Sequence, residues 1–248
     1  MTGKTNNERN MPLIPLRGIV VYPHMILHFD VGRFRSIKAI EEAMLNEQLI
    51  FLVAQKDPSI EEPEPKDVYT YGTIAKIKQL LRLPGDTIRV LVEGIGRARI
   101  TEMIQTEPFY MARLKLIKAR SLRSTKADIQ ALARQVIENF EQYAKLSGKI
   151  SPDASISIAS VDDLARLPDI IASNLVITVE QKQSILEELS PKKRLEKILD
   201  ILVHENEILE IEKNISNKVR QQIDKNQKEY YLREQLKAIQ KELGEYDS

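Results

Sequence analysis

Apolar positions in the first 119 residues occur mostly in short runs, which is typical of β-strands. Leu49–Val53 is the clearest run, since β-branched and aromatic residues follow one another there and predict a buried strand. Glycine and aspartate between the runs supply the conformations that hairpin turns need. We therefore predict a mainly antiparallel β region with further strands at Pro12–Leu16, Met25–Phe29, Tyr71–Leu83, Thr87–Glu93, Arg97–Glu107 and Phe109–Ala119, the fourth and fifth of these being separated by Gly94-Ile95-Gly96.

One helical pattern interrupts this β region. Ser36 is the expected N-cap, and apolar residues follow it at helical spacing at Ile37, Ile40, Ala43 and Met44. Asp57–Asp67 contains three prolines and several glutamates, so we expect a loop there. Residues 1–10 are polar and are predicted to be disordered.

Residues 120–190 show the spacing of a helical bundle. Ser124 or Thr125 is the expected cap of a helix that runs to about Lys145, and Gly148–Pro152 breaks it. Its predicted buried face comprises Ile129, Leu132, Ala133, Val136, Ile137 and Phe140. Shorter helices are predicted over Val161–Ala172, with a new start at Pro168, and over Val179–Leu189. Such short amphipathic helices need one another to bury their apolar faces.

The last segment, residues 191–244, reads as one very long helix. Pro191 suits a first helical turn and Gly244 suits the position after a helix end. A helix of roughly 52 residues is about 78 Å long, so most of it cannot lie on a small domain. Charges occupy 24 of the 57 residues from 192 to 248, which is typical of an exposed helix. We expect bundle packing near its start and an exposed rod further on.

Composition excludes several classes of protein. The 248 residues carry 37 Lys+Arg against 36 Asp+Glu, a net charge of +1, which argues against a strongly basic nucleic-acid binder. There is no Cys, hence no disulfide scaffold, no thiolate metal site and no thiol nucleophile. The polar N-terminus lacks the apolar core of a signal peptide, and the lack of Cys fits a cytoplasmic location.

No catalytic motif emerges from the sequence. Gly3-Lys4-Thr5 has no strand and no earlier glycine before it, so it is not a phosphate-binding loop. The three His lack the spacing of a zinc site, and no Ser stands in a nucleophile-elbow pattern. We therefore expect no catalytic, cofactor-binding or metal-binding residue in this chain. Four arginines of the β region define an alternative RNA-binding face: Arg82, Arg89, Arg97 and Arg99.

Two separate segments resemble the N-terminal region of bacterial ATP-dependent Lon proteases. One is MPLIPLRGIVVYP at Met11–Pro23, and the more specific one is QKEYYLREQLKAIQKELG at Gln227–Gly244. Shorter matches between them lie at Val31–Arg33, Phe51–Gln55, Gly72–Thr73, Arg89–Gly94 and Arg97–Ala98. The resemblance runs from about residue 11 to the end of the chain.

The resemblance implies an α+β architecture in three parts. These are a PUA-like β domain over residues 11–119, an α-helical bundle over 120–190, and a long helix over 191–244 that leads toward an AAA+ ATPase module. ATP, Mg²⁺ and the Ser–Lys protease dyad belong to modules without matching positions here, so none is carried over. The implied role is recognition of unfolded or degron-bearing proteins, including misfolded and short-lived regulatory proteins, and assembly of a homohexamer; membrane and nucleic-acid partners are not expected.

A module that captures unfolded chains needs exposed apolar surface, which monomeric domains otherwise avoid. Adaptable surface is also expected from four methionines, Met25, Met44, Met103 and Met111. The alternative is that all these residues are core or subunit contacts. The candidate binding residues are Ile19, Val20, Val21 and Tyr22, then Leu80, Leu81 and Leu83, and on the long helix Tyr230, Tyr231 and Leu232.

Two other functions remain open at this point. The first interpretation is the non-catalytic recognition and assembly part of a Lon-type protease. The two alternatives are a stand-alone PUA-like interaction or adaptor protein and an RNA-binding module. A gene that continues into a phosphate-loop motif eliminates the stand-alone protein, and a steep salt dependence of RNA binding would support the last.

Overall fold

A mixed sheet and six α-helices form the described part of the chain, residues 7–118, 126–161 and 163–243, in a computed structural model. The strands are β1 (Glu8–Leu16), β2 (Ile26–Val31), β3 (Leu49–Ala54), β4 (Tyr71–Leu83), β5 (Thr87–Gln105) and β6 (Tyr110–Leu116). The helices are α1 (Phe34–Leu45), α2 (Lys126–Ser147), α3 (Pro152–Ala159), α4 (Leu167–Asn174), α5 (Val179–Glu187) and α6 (Pro191–Glu242). A short 3-10 helix at Pro65–Asp67 lies in the predicted loop. The predicted α+β class is confirmed.

The sheet curls into a barrel with one incomplete wall. Its strand order is β2-β5-β4-β3-β1-β6, and β6 also pairs with β5. All pairings are antiparallel except that of β1 with β3. Strand β2 pairs with the first part of β5 only, so its other edge has no strand partner among the described residues.

The long strand β5 corrects one prediction. Thr87–Glu93 and Arg97–Glu107 are parts of a single strand, and Gly94-Ile95-Gly96 lies inside it rather than in a turn. A side chain on Gly94 would collide with the backbone carbonyl of Tyr22. This glycine therefore permits a close backbone approach, which is the other common use of glycine within a strand.

The strand β1 begins earlier than predicted. It starts at Glu8, so residues 8–10 of the segment predicted to be disordered are paired, with Glu8 opposite Lys115 of β6. Ladder hydrogen bonds involve only the backbone, so polar side chains do not prevent pairing at an exposed edge. Residues 1–6 lie outside the described part.

The strand β3 lies between two hydrophobic clusters and is buried on both faces. Ile50 and Leu52 face a cluster that includes α1, while Phe51 and Val53 face the opposite cluster. Alternate side chains of a strand point to opposite faces, so a strand covered on both sides is continuously apolar. The predicted buried strand at Leu49–Val53 is confirmed.

The helix α1 forms where predicted but begins earlier. Its N-cap is Arg33, which makes no side-chain capping bond, and Ser36 lies within the first turn. Ser36 is only 3% exposed and shares the buried face with Ala39, Ile40 and Ala43. The predicted N-cap role of Ser36 is therefore wrong, because the chain turns into the helix directly after Gly32.

The helical bundle differs from its prediction in one short helix. Helix α3 (Pro152–Ala159) follows directly on the predicted break, with Ser151 as its N-cap. Val161 and residues 163–166 are not helical, and α4 starts at Leu167, just before Pro168. The predicted caps Ser124 and Thr125 and the boundary at residues 119 and 120 lie outside the described residues.

Helix α6 spans 52 residues, from Pro191 to Glu242. Its buried residues all lie in the first 16 positions: Pro191, Arg194, Leu195, Ile198, Leu202 and Asn206. From Ile211 to Leu243 every residue except Gln240 is exposed. The prediction of a packed start and an exposed rod is confirmed.

The barrel and the bundle share one hydrophobic core. Val20, Tyr22 and Ala54 belong to the same buried cluster as the apolar faces of α2, α4, α5 and α6. The Tyr22 hydroxyl donates to the carbonyl of Lys182 at 2.7 Å, and Gln183 Nε2 donates to the carbonyl of Tyr71 at 3.0 Å. The two parts are therefore held together by both packing and hydrogen bonds.

Candidate functional site

The incomplete wall of the barrel opens into a cavity of about 320 Å³, which we call the wall cavity. It lies between the end of β1 and the end of β2, next to the start of α1. The last residues of β1, Ile14–Leu16, pair only with β3, because the pairing with β6 ends at Leu13. Its lining residues are Ile14–Arg17, Ile19, Phe29–Arg33 and Ser36.

Two guanidinium groups, those of Arg17 and Arg33, converge at this cavity. Both donate to the carbonyl of Ile60, Arg17 at 3.4 Å and Arg33 at 3.5 Å. Arg33 also donates to Gln55 Oε1 at 2.8 Å and to the carbonyl of Pro15 at 3.4 Å. Burial, and then the nearby Arg17 charge, lower the pKa of Arg33 from its usual value. Two like charges are thus held close together by neutral oxygens.

The start of α1 adds polar donors to the same cavity. The first backbone hydrogen bond of the helix runs from the Ile37 amide to the Arg33 carbonyl. No acidic residue stands in the first turn, and no side chain caps it. The first amides of a helix have no partner within it and carry partial positive charge. This end of the cavity therefore has positive potential.

One carboxylate, Asp30, also lines the wall cavity, and an arginine neutralises it. Arg89 Nε and Nη2 donate to the two Asp30 oxygens at 2.6 and 2.8 Å. The hydrogen bond from Arg89 holds the pKa of Asp30 below its usual value. Asp30 is therefore paired with Arg89, and the two cations of the cavity lining are Arg17 and Arg33.

The first group of candidate residues, after β1, is mostly buried. Ile19 lines the wall cavity and is partly buried. Val20, Val21 and Tyr22 are buried, so the expectation that they form an exposed patch is wrong. Their apolar character serves the core, because Val20 and Tyr22 pack against the helices and Val21 against the barrel interior.

The second group divides between core and surface. Leu80 is partly buried and packs against the barrel cluster, and Leu83 is partly buried. Leu81 is exposed and lines a smaller cavity of about 230 Å³ on the outer sheet face, together with His28, Gln79, Arg89 and Leu91.

The third group lies on α6 and is exposed. Tyr230, Tyr231 and Leu232 are all more than half exposed. Among the four methionines only Met44 is exposed, while Met25, Met103 and Met111 are partly buried. The structure thus places the three candidate groups in three separate parts of the molecule.

The polar residues of the wall cavity were missed as a site by the sequence reasoning. Arg17 and Arg33 are each next to a glycine, Gly18 and Gly32, at the end of a strand. Arginine beside glycine at two strand ends is a weak signal, and nothing in the sequence shows that these ends meet. For Ser36 the sequence indicates a helix N-cap and gives no sign of a cavity.

The four arginines of the alternative RNA-binding face do not form a free cationic surface. Arg97 is bonded to the buried Asp169, and Arg89 to Asp30. Arg99 lies over the ring of Tyr71, 5.9 Å from its centroid. Arg82 is exposed, 3.9 Å from Glu41.

Metal and membrane features can be assessed only for the described residues. In residues 7–118, 126–161 and 163–243, no three His, Asp or Glu side chains gather closely enough to hold a metal ion. Each helix in the same ranges is too short or too polar to span a lipid bilayer.

By its fold, the chain is an α+β module in which a partly open barrel is joined to a helical bundle and a long helix. Residues 10–204 match the family model described as the ATP-dependent protease La (LON) substrate-binding domain. The chain therefore belongs to the Lon substrate-binding domain family.

The relatives of this chain are much longer than the chain itself. The Lon protease of Brevibacillus choshinensis is 46% identical over 245 residues, which are 99% of this chain and 31% of that protein. The Lon protease of Heliobacterium modesticaldum is 51% identical over 237 residues, 96% of this chain and 29% of that protein. The chain thus spans about a third of the length of the curated relatives it matches.

Two solved structures have the same fold. The N-terminal domain of a Mycobacterium avium complex Lon protease superimposes with a TM-score of 0.62 at 21% identity, covering 79% of this chain and 98% of that one. A Lon N-terminal domain protein from Xanthomonas campestris gives a TM-score of 0.56 at 17% identity, covering 77% and 98%.

Proposed function

We propose that this chain captures non-native polypeptide segments at the wall cavity and delivers them to an ATP-dependent Lon-type protease. The observation that carries this proposal is the gap in the barrel wall, where β2 presents an edge without a strand partner among the described residues, beside apolar side chains. An extended peptide pairs readily with a free strand edge, and non-native chains offer both extended backbone and exposed apolar residues. Folded proteins expose less of both, because their strands are mostly paired and their large apolar patches mostly buried.

An exposed aromatic residue next in sequence to the cavity lining supports the same function. Phe34, the first residue of α1, is 64% exposed next to the cavity-lining Arg33. Exposed aromatic residues beside a groove are typical anchors of binding surfaces. The pairing of Arg89 and Arg97 with carboxylates favours a polypeptide over RNA as the ligand.

Site-specific photocrosslinking tests the capture function. A benzophenone amino acid at position 34 should crosslink an unfolded, reduced and alkylated protein but not its native form. The same probe at position 45 is the matched control, since Leu45 is 83% exposed at the other end of α1. Equal crosslinking at both positions, or equal capture of native and unfolded protein, contradicts the proposal.

A second role, assembly, is supported by the exposed rod of α6. Ile208, Ile211, Ile215, Val219 and Ile223 follow one another at spacings of three and four residues and are all exposed. A second stripe comprises Leu232, Leu236, Ile239 and Leu243. At 3.6 residues per turn the two stripes are rotated by roughly a third of a turn. Copies of the same chain can cover such stripes, as in other helical assemblies, and a homohexamer is the proposed full-length form.

Light scattering tests this assembly role. Leu236→Asp should lower the mass of any oligomer, and Arg233→Asp, on the same helical segment but outside the stripe, serves as the charge control. An oligomer mass unaffected by Leu236→Asp contradicts a role for this stripe.

The proposed catalytic steps do not take place in this chain. The matched relatives are about three times longer, which supports placing ATP, Mg²⁺ and peptide-bond cleavage in segments beyond the matched region. We accordingly propose no enzymatic activity and no cofactor for this chain alone. The proposed setting is the bacterial cytoplasm, and the proposed substrates are misfolded and short-lived regulatory proteins.

A further inference from the structure

We propose that the wall cavity recognises the free α-carboxylate at the C-terminus of a polypeptide, with the last apolar side chain filling the cavity. This inference rests on the proposed capture function and names the part of the substrate that is read. It assigns a chemical preference to a site in which Arg17, Arg33 and Ser36 act together.

The first argument is the charge of the two arginines. Among the described residues, neither Arg17 nor Arg33 forms an ion pair with a carboxylate, and both are bonded to carbonyl or amide oxygens. A guanidinium binds a carboxylate through parallel, charge-assisted hydrogen bonds that are stronger than those to neutral oxygens. An incoming carboxylate would therefore form stronger hydrogen bonds with both guanidinium groups than their present neutral partners do.

The second argument is the position of Ser36 in the first turn of α1. Its side chain lines the wall cavity, and the residue is only 3% exposed. A serine hydroxyl can donate one hydrogen bond. The Ser36 hydroxyl can therefore donate a hydrogen bond to a carboxylate oxygen in the cavity.

The third argument is the start of α1. A helix N-terminus favours an anion, yet here the N-cap is itself the cation Arg33 and no acidic residue follows in the first turn. The sequence thus places positive charge where the helix dipole disfavours it. A bound carboxylate removes this conflict, because it neutralises Arg33 and accepts from the free amides.

The fourth argument selects the α-carboxylate of a chain end among anions. Apolar side chains make up much of the lining, namely Ile14, Leu16, Ile19, Phe29 and Val31. A cavity of 320 Å³ is near the lower limit of about 300 Å³ for small-ligand sites. The C-terminal residue of a peptide combines a carboxylate, one apolar side chain and a backbone that can pair with β2. An inorganic phosphate has no apolar part and leaves these walls uncovered.

Fluorescence anisotropy with matched peptides tests this preference on the full chain. The probes are fluorescein-labelled ten-residue peptides of Gly and Ser that end in Leu, one with a free C-terminus and one amidated. We expect amidation to weaken binding by about 10-fold or more, since charge-assisted hydrogen bonds are lost. Arg33→Gln and Ser36→Ala should weaken binding of the free peptide and leave that of the amidated one unchanged.

The control variant is Arg82→Gln, an exposed arginine outside the cavity that should bind like the original chain. Urea midpoints of all variants report whether they fold. Equal binding of free and amidated peptides overturns the carboxylate preference while leaving capture of non-native chains intact. The carboxylate preference is also overturned if inorganic phosphate displaces the labelled free peptide while an unlabelled copy of that peptide does not. Capture itself is tested separately, by the crosslinking at position 34 with its control at position 45.

Discussion

Arg97 and Asp169 form a bidentate ion pair that joins the barrel to the helical bundle. Arg97 Nη1 and Nη2 donate to the two Asp169 oxygens at 2.9 and 2.6 Å. Arg194 of α6 donates to the same carboxylate at 2.7 Å, and all three side chains are at least nine-tenths buried. One carboxylate therefore links β5, α4 and α6.

Asp169→Asn should destabilise the whole chain strongly. The substitution keeps the shape but leaves two buried guanidinium groups without a counter-charge, and breaking a buried pair in this way costs about 3–5 kcal/mol. Urea unfolding followed by circular dichroism measures the loss. The control is Glu102→Gln, which removes an exposed ion pair with Arg113 and should barely move the midpoint. Equal losses for the two variants would show that Asp169 is not a link of this kind.

Gly94→Ala and Gly96→Ala should differ although they lie two positions apart in β5. A Cβ on Gly94 would meet the carbonyl of Tyr22, whereas a Cβ on Gly96 meets nothing within 4 Å. We expect Gly94→Ala to lower the free energy of unfolding by about 1–3 kcal/mol. Gly96→Ala should leave it unchanged or raise it by about 0.4–1 kcal/mol, since alanine reduces the entropy of the unfolded chain. Thermal and urea unfolding compare the two directly.

These two glycines show why part of the fold escapes sequence reasoning. Leu49–Val53 and Tyr71–Leu83 could be predicted because their patterns depend only on their own neighbours. Gly94 gives the same local signal whether it makes a turn or allows a close approach, and only the distant Tyr22 decides between them.

The candidate site was even less accessible from the sequence. The wall cavity exists because the pairing of β1 with β6 ends at Leu13 while β2 pairs on one side only. Arg17, Arg33 and Ser36 meet as a result of that register. Local patterns do not encode it, so the sequence predicts an N-cap role for Ser36 and an exposed position for Tyr22.

Tyr22→Phe should change how stability depends on pH. Burial, and then the Asp169 charge, raise the pKa of Tyr22 from its usual 10.0. The unfolded tyrosine ionises near pH 10 while the folded one stays neutral, so stability is complete below about pH 10 and falls above it. The loss is about 1.4 kcal/mol per pH unit for this single group.

The measurement is a series of urea midpoints from pH 8 to 11 for both proteins. At pH 8 the variant should be less stable by about 1 kcal/mol, because the hydrogen bond to the Lys182 carbonyl is lost. Above pH 10 the difference should shrink, since the variant has no group to ionise at this position. A constant difference across the series would contradict a raised pKa for Tyr22.

Two isoleucines of α6 should separate the folding role of the helix from its proposed assembly role. Ile198 is completely buried, and Ile198→Ala should cost about 2–5 kcal/mol because it leaves a cavity between α6 and the rest of the bundle. Ile215 is 56% exposed, so Ile215→Ala should leave the unfolding of the monomer nearly unchanged.

Urea unfolding at low protein concentration and light scattering at high concentration together check this pair. We expect Ile198→Ala to shift the unfolding midpoint and Ile215→Ala to reduce the oligomer mass, because the stripe around Ile215 has no partner within its own chain among the described residues. If Ile215→Ala shifts the monomer midpoint as far as Ile198→Ala does, the exposed rod contributes to the stability of the single chain. The assembly role would then lose its main support, since the stripe would already be covered in solution.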